Sequence, residues 1–153
     1  MVCPHLAIQL QGFGYQAPEK KKGKEPSILV LVCRWSEFDA LDPESSFAAQ
    51  KNIEIREIPC FNALDPVIVL EAFYQGHDGV LAMTCSDDDC KFTEGRSAGK
   101  RSMSALKKTL KKLGIEHRFV LRNTSPRDMG RFQRDLEEFT AMITGLERRD
   151  ENE

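Results

Sequence analysis

The chain of 153 residues is 41% hydrophobic and 30% charged, which suits one globular domain with a core of its own. A net charge of -2 and a pI near 6.0 argue against nucleic-acid binding, which would bring a basic field. No apolar run approaches the roughly 20 residues that span a bilayer, the first residues lack the basic start of a signal peptide, and five cysteines without an export signal point to reduced cytoplasmic thiols used as ligands or nucleophiles rather than to a disulfide framework.

Residues 1 to 27 read as an arm and linker. Leu6 to Leu10 suits a weak edge strand or a segment that orders on a partner, Cys3 has no visible framework, and the run from Glu19 to Pro26 is charged and broken by Gly and Pro. Ile28 to Val32 is a first strand that ends in Cys33. The stretch from Glu37 to Ala49, interrupted by Pro43, suits short helical pieces. A second strand, Ile53 to Pro59, ends in Cys60. Asp65 can then cap a helix whose first turn holds Pro66. That helix runs to about Gln75, with Ile68, Val69, Ala72 and Phe73 on its core face and Gly76 as terminator. His77 and Asp78 read as turn residues at the end of the sheet opposite the thiols and are assigned no chemistry.

Gly79 to Cys85 is an unbroken apolar run of the kind that is buried on both faces of a parallel sheet. It passes through Asp87-Asp88-Asp89 to Cys90. A helix follows from about Arg101 to Leu113, its apolar side formed by Met103, Leu106, Leu110 and Leu113, with Gly114 as its stop. Lys107, Lys108, Lys111 and Lys112 crowd its end, where they read as partners of the helix dipole on a solvated face. Glu116 to Leu121 is a fourth strand. Ser125-Pro126 opens a last helix through about Leu146, with Met129, Phe132, Leu136, Phe139 and Ile143 facing the core, and residues 148 to 153 form a polar tail. The domain proper spans 28 to 147.

Strands that alternate with helices predict an α/β domain: an open parallel four-stranded sheet with helices on both faces, flavodoxin-like, in which an order 2-1-3-4 would set strand one between strands two and three. Ligands of such sheets bind beyond the carboxyl ends of the strands. Cys33, Cys60 and Cys85 fall at those ends on strands about 5 Å apart, and Cys90 can reach them from its loop. Four thiolates suit a tetrahedral zinc or an iron-sulfur cluster. A structural zinc site usually carries two tight C-x2-4-C knuckles, whereas this chain has only Cys85-x4-Cys90; a 2Fe-2S rhomb accepts more dispersed ligands. Thiols that bind nothing are the third alternative, because free cysteines are often simply buried.

Cys33-Arg34-Trp35-Ser36 also has the C-x-x-S form of a monothiol nucleophile at a helix start. The three successive aspartates read as a solvated turn that would lower the potential of a nearby anionic cluster. No Ser-His-Asp order, phosphate-cradling glycine loop or carboxylate pair suggests a substrate site.

Taken together, the strand with Cys33-x-Trp35, the segments Pro59-Cys60, Leu64-Asp65-Pro66 and Val69-Leu70-Glu71-Ala72-Phe73, and Gly76-x-Asp78-Gly79-Val80-Leu81 form a pattern. Cys85-x4-Cys90 with Glu94-Gly95 and a basic helix completes it. Over residues 28 to about 146 the chain resembles the delta, or iron-sulfur, subunit of methyl-viologen-reducing hydrogenases. The resemblance implies a small 2Fe-2S electron-transfer protein with Cys33, Cys60, Cys85 and Cys90 as cluster ligands. Its implied partners are an electron-donor oxidoreductase and a flavin-containing heterodisulfide reductase A-like subunit. Related subunits attach to formate dehydrogenases, methylene-tetrahydrofolate reductases and benzoyl-coenzyme A reductase assemblies. One departure stands out: the family has C-x-W-C after the first strand, and this chain has Ser36 in place of the second cysteine. A clusterless adaptor of the same kind of redox complex, or a structural zinc domain, is the alternative. Arg34, Trp35, Phe61, Lys91, Phe92 and Arg96 surround the thiol loop and form the expected docking face.

Overall fold

The computed structural model describes residues 25–34, 52–86, 90, 96–125 and 128–150. The arm, the helical pieces expected within 37–49, Trp35, Ser36, Asp87 to Asp89, Lys91 and Phe92 lie outside the described residues.

Four strands, β1 (Ile28–Cys33), β2 (Ile53–Ile58), β3 (Gly79–Cys85) and β4 (Phe119–Thr124), pair in parallel in the order β2-β1-β3-β4. Among the described residues three helices accompany them: α1 (Pro66–Tyr74), α2 (Arg96–Lys112) and α3 (Met129–Asp150). The chain is therefore an α/β protein with an open four-stranded parallel sheet of the flavodoxin-like kind. Among the described residues no helix is long and apolar enough to cross a membrane.

The period-2 alternation of a strand sends successive side chains to opposite faces, and the two central strands are apolar on both. Leu29, Leu31, Val80 and Ala82 meet Val69 and Ala72 of α1 and Met103, Leu106 and Leu110 of α2. Ile28, Val30, Val32, Leu81 and Met83 meet Phe132, Leu136, Phe139 and Ile143 of α3. Among the described residues, α1 and α2 thus cover one face and α3 the other. The outer strand β2 needs less apolar content, so Glu54, Arg56 and Glu57 are accommodated there.

Local chemistry sets the element ends. Asp65 caps α1 by accepting the Val67 amide at 2.9 Å, and Pro66 fills the first turn, where no amide is needed. Gly76 and Gly114 end their helices at φ 94 and 72, the left-handed region that glycine enters without penalty. At the amino end of the sheet the Ser27 amide donates to Asp78 Oδ2 at 2.9 Å, Ser27 Oγ lies 3.1 Å from His77 Nδ1, and Arg118 donates to the Asp78 carbonyl at 3.1 Å. His77 and Asp78 therefore lace the starts of β1 and β3 together, at the end opposite the thiols.

Gly79 sits where α3 presses on the sheet. A Cβ there would stand 2.8 Å from Ile143 Cγ1 and 2.9 Å from Phe139 Cζ, and Ile143 is fully buried and Phe139 nearly so. Gly79→Ala is expected to cost about 1–3 kcal/mol through overpacking, measurable as a lowered urea midpoint with an unchanged slope.

Candidate functional site

The register of the sheet determines which thiols meet. β1 and β3 are adjacent, with Val32 opposite Met83, and both strands end in cysteine. Cys33 and Cys85, 1% and 6% exposed, lie with their sulfurs 3.3 Å apart, the Cys85 S–H donating to Cys33. The Cys85 thiol is pushed up to about 12, first by burial, then by its hydrogen bond to Cys33 and by the charges of Cys33 and Cys90. Burial disfavours a lone thiolate at this position, so the ionised form needs a cation beside it. That also removes Cys85 as a free nucleophile near neutral pH.

Cys90 is half-buried, and its charge acts on Cys85. Cys60 is half-buried as well and lies just past the carboxyl end of β2, next to β1 in the sheet. There the extended backbone of Cys60 leads into a 3-10 turn over Phe61–Ala63 without a side-chain cap. Of the four expected ligands, the structure brings Cys33 and Cys85 into contact and holds Cys90 within electrostatic reach, with Cys60 just past the end of the neighbouring strand β2. Among the described residues no group of three or more His, Cys, Asp and Glu side chains stands close enough to hold a single metal ion.

The surroundings are held by contacts that sequence reasoning did not single out. The Arg34 amide donates to the Ile58 carbonyl at 2.9 Å, and its guanidinium pairs with Glu57, which fastens the exit of β1 to that of β2. Thr84, one residue before Cys85, donates to Asn123 Oδ1 at 3.0 Å and lies 3.3 Å from the Arg122 carbonyl, which ties β3 to β4. Gly99 in the first turns of α2 lies against the segment after Cys60: a Cβ there would be 3.0 Å from Asn62 Oδ1 and 3.1 Å from the Phe61 ring. The only sequence signal for that contact was a glycine inside a run of small and basic residues. Of the expected docking residues, Arg34 is exposed and Phe61 half-buried against the α1–α2 side of the core.

Residues 28–147 match the family described as methyl-viologen-reducing hydrogenase, delta subunit. The chain is 31% identical over 125 residues to the D-type iron-sulfur subunit of the F420-non-reducing hydrogenase of Archaeoglobus profundus, an alignment that covers 80% of this chain and 91% of that one. It is 30% identical over 99 residues to the corresponding iron-sulfur subunit of the F420-non-reducing hydrogenase vhc of Methanococcus voltae, with 63% of this chain and 69% of that one covered. It is also 29% identical over 119 residues to the A-type polypeptide of the ferredoxin:CoB-CoM heterodisulfide reductase of Methanosarcina mazei; here 72% of this chain aligns with only 15% of the relative, so a segment like this one is part of a much longer polypeptide.

Proposed function

This chain belongs to the family of methyl-viologen-reducing hydrogenase delta subunits, and from that premise we propose that it is a non-catalytic electron-transfer component of an oxidoreductase complex. It passes electrons between a donor oxidoreductase and a flavin-containing, heterodisulfide reductase A-like subunit, through a 2Fe-2S cluster held by Cys33, Cys60, Cys85 and Cys90. The observation that carries the reading is the buried contact of Cys33 with Cys85 at the carboxyl ends of the two central strands.

The donor set fits such a cluster. Two thiolates about 2.3 Å from one tetrahedral metal stand roughly 3.8 Å apart, a small χ adjustment from the observed 3.3 Å. The dispersed spacing of the four cysteines, with Cys85-x4-Cys90 in place of two tight knuckles, favours a centre larger than one ion over a structural zinc. A 2Fe-2S centre, when bound, supplies reversible one-electron transfer. The chain itself does the rest: the buried pair excludes water from one side, and the Thr84 and Arg34 contacts fix the strand exits. The half-buried Cys60 and Cys90 leave the other side near the surface. Four thiols remain without a cysteine at position 36, so Ser36 lies outside the ligand set. The partner assignment draws on the Methanosarcina relative, in which a similar segment forms part of the heterodisulfide reductase polypeptide itself. A cytosolic setting keeps such thiols reduced.

Anaerobic purification followed by metal and acid-labile sulfide analysis tests the reading. About two irons and two sulfides per chain are expected for a [2Fe-2S] centre. One zinc and no sulfide would replace the cluster by a structural zinc site, and metal-free protein would leave a clusterless adaptor.

A further inference from the structure

The helical layer formed by α1 and α2 has an unusual outer surface. α1 contains a single charge, Glu71, and exposes Val67 at 55%, Leu70 at 37% and Tyr74 at 56%. These three recur at i, i+3 and i+7, the spacing of one helical stripe, while Val69 and Ala72 occupy the core. α1 therefore presents apolar side chains both inward and outward.

α2 packs beside it on the same core and carries Lys or Arg at seven of 17 positions with no carboxylate. Lys107 with Lys111, and Lys108 with Lys112, are like-charge i, i+4 pairs, which are unfavourable in an isolated helix. The helix dipole accounts for cations only in the last turn, that is Lys111 and Lys112, and not for Lys100, Lys107 and Lys108. Among the described residues none of these five lysines forms an ion pair. α3 on the opposite face is different: Arg131 and Arg122 both approach Asp135 at 3.8 Å, and Gln133 donates to Glu137. A chain of net charge -2 thus concentrates uncompensated cations on one helix, beside an apolar stripe. A cleft of about 360 Å³ opens along α2, with Phe61, Met103 and Leu121 as its apolar lining and Lys100, Lys107, Lys108 and Lys111 around it. Phe61 directly follows Cys60.

We propose that the outer face of the α1–α2 layer is a docking surface for an acidic protein surface that carries apolar side chains, and that the flavoprotein partner supplies it. This rests on the electron-transfer reading and goes beyond it by locating the interface on helix faces rather than on the thiol loop alone. Apolar contacts at the centre with charges around them are the anatomy of a specific protein interface, and the cations steer an acidic partner to it. Docking over Phe61 brings that partner alongside the thiol end, where an electron has to leave. The overall acidity of the chain weighs against anionic lipid or nucleic acid as the occupant.

The test titrates the full chain, purified anaerobically, with a purified heterodisulfide reductase A-type flavoprotein from the same organism, at about 50 and 300 mM salt. The unmodified chain is expected to bind, more weakly at high salt. The triple variant Lys107→Glu, Lys108→Glu, Lys111→Glu should lose at least about tenfold in affinity and most of the salt dependence. Its metal content and melting temperature should not change, and the corresponding Lys→Gln triple should fall in between. Undiminished binding by the folded charge-reversed variant would overturn the surface and leave the partner intact. No binding by the unmodified chain would overturn the partner and with it this docking surface. Vesicles of phosphatidylglycerol and phosphatidylcholine, and duplex DNA, serve as further probes: lysine-dependent binding to either in place of the flavoprotein would overturn the proposal.

Discussion

Cys85→Ser is expected to reduce the iron bound per chain from about two to near zero, with the far-UV circular dichroism unchanged and the paramagnetic signal of the reduced protein lost. Cys85 ends the central strand β3, is 6% exposed and touches Cys33, so no exposed or mobile side chain can take its place. Serine is close in size and leaves the backbone undisturbed, but its oxygen is a harder, shorter and far less acidic ligand than a thiolate. Cys33→Ser should behave alike, because each thiol of the buried pair depends on the other. Cys60→Ser, at a half-buried position just past the edge strand β2, should retain part of the iron with a shifted spectrum. Full iron in the Cys85 variant would remove this cysteine from the ligand set and displace the centre from the sheet.

Phe132→Ala should destabilise the protein by about 3–5 kcal/mol, a large share of the roughly 5–15 kcal/mol that holds a domain folded. Phe132 is fully buried where α3 meets the sheet, among Leu136, Phe139, Ile143 and the inward side chains of β1 and β3. Its removal leaves a cavity that the central strands, held on both sides by neighbouring strands, cannot collapse to fill. Urea unfolding of the variant, compared with Met142→Ala on the exposed side of the same helix, measures the difference; the surface change should stay within about 0.5 kcal/mol. A cost near that of Met142→Ala would mean that the packing around Phe132 can rearrange.

The open parallel sheet, the bounds of β1 and β3 and the capping of α1 were legible because each rests on a strong signal: strands alternating with helices, continuous apolar runs, and Asp65 before Pro66; the strand order was raised in the sequence only as a condition, and the sheet has it. The start of α2 was not. Its first residues, Arg96 to Lys100, are polar with a glycine, which suggests a loop. In the fold Gly99 is the residue that lets the helix approach Asn62 and Phe61, a long-range packing requirement whose only local trace is the glycine itself. β4 was expected over Glu116 to Leu121 but runs from Phe119 to Thr124, with Glu116–Arg118 in a 3-10 turn. Register against β3 sets that shift, and an edge strand tolerates Arg122 and Asn123 where a central one would not. At the thiol end, sequence placed the cysteines on one side of the sheet, but only the packed side chains show that Cys33 and Cys85 touch.

The polarity of the parallel sheet has a practical corollary for electrochemistry. Because every strand runs the same way, the chain enters β1 at Ser27 beside the His77–Asp78 lacing, and the thiols lie at the other end, a strand length of roughly 20 Å away. A film in which the protein is tethered ahead of Ser27 would hold all molecules with the thiol end facing the solution. Their current would then be carried by a dissolved mediator rather than by tunnelling to the support, whereas attachment through Lys100, near the start of α2 at the thiol end, would shorten that path.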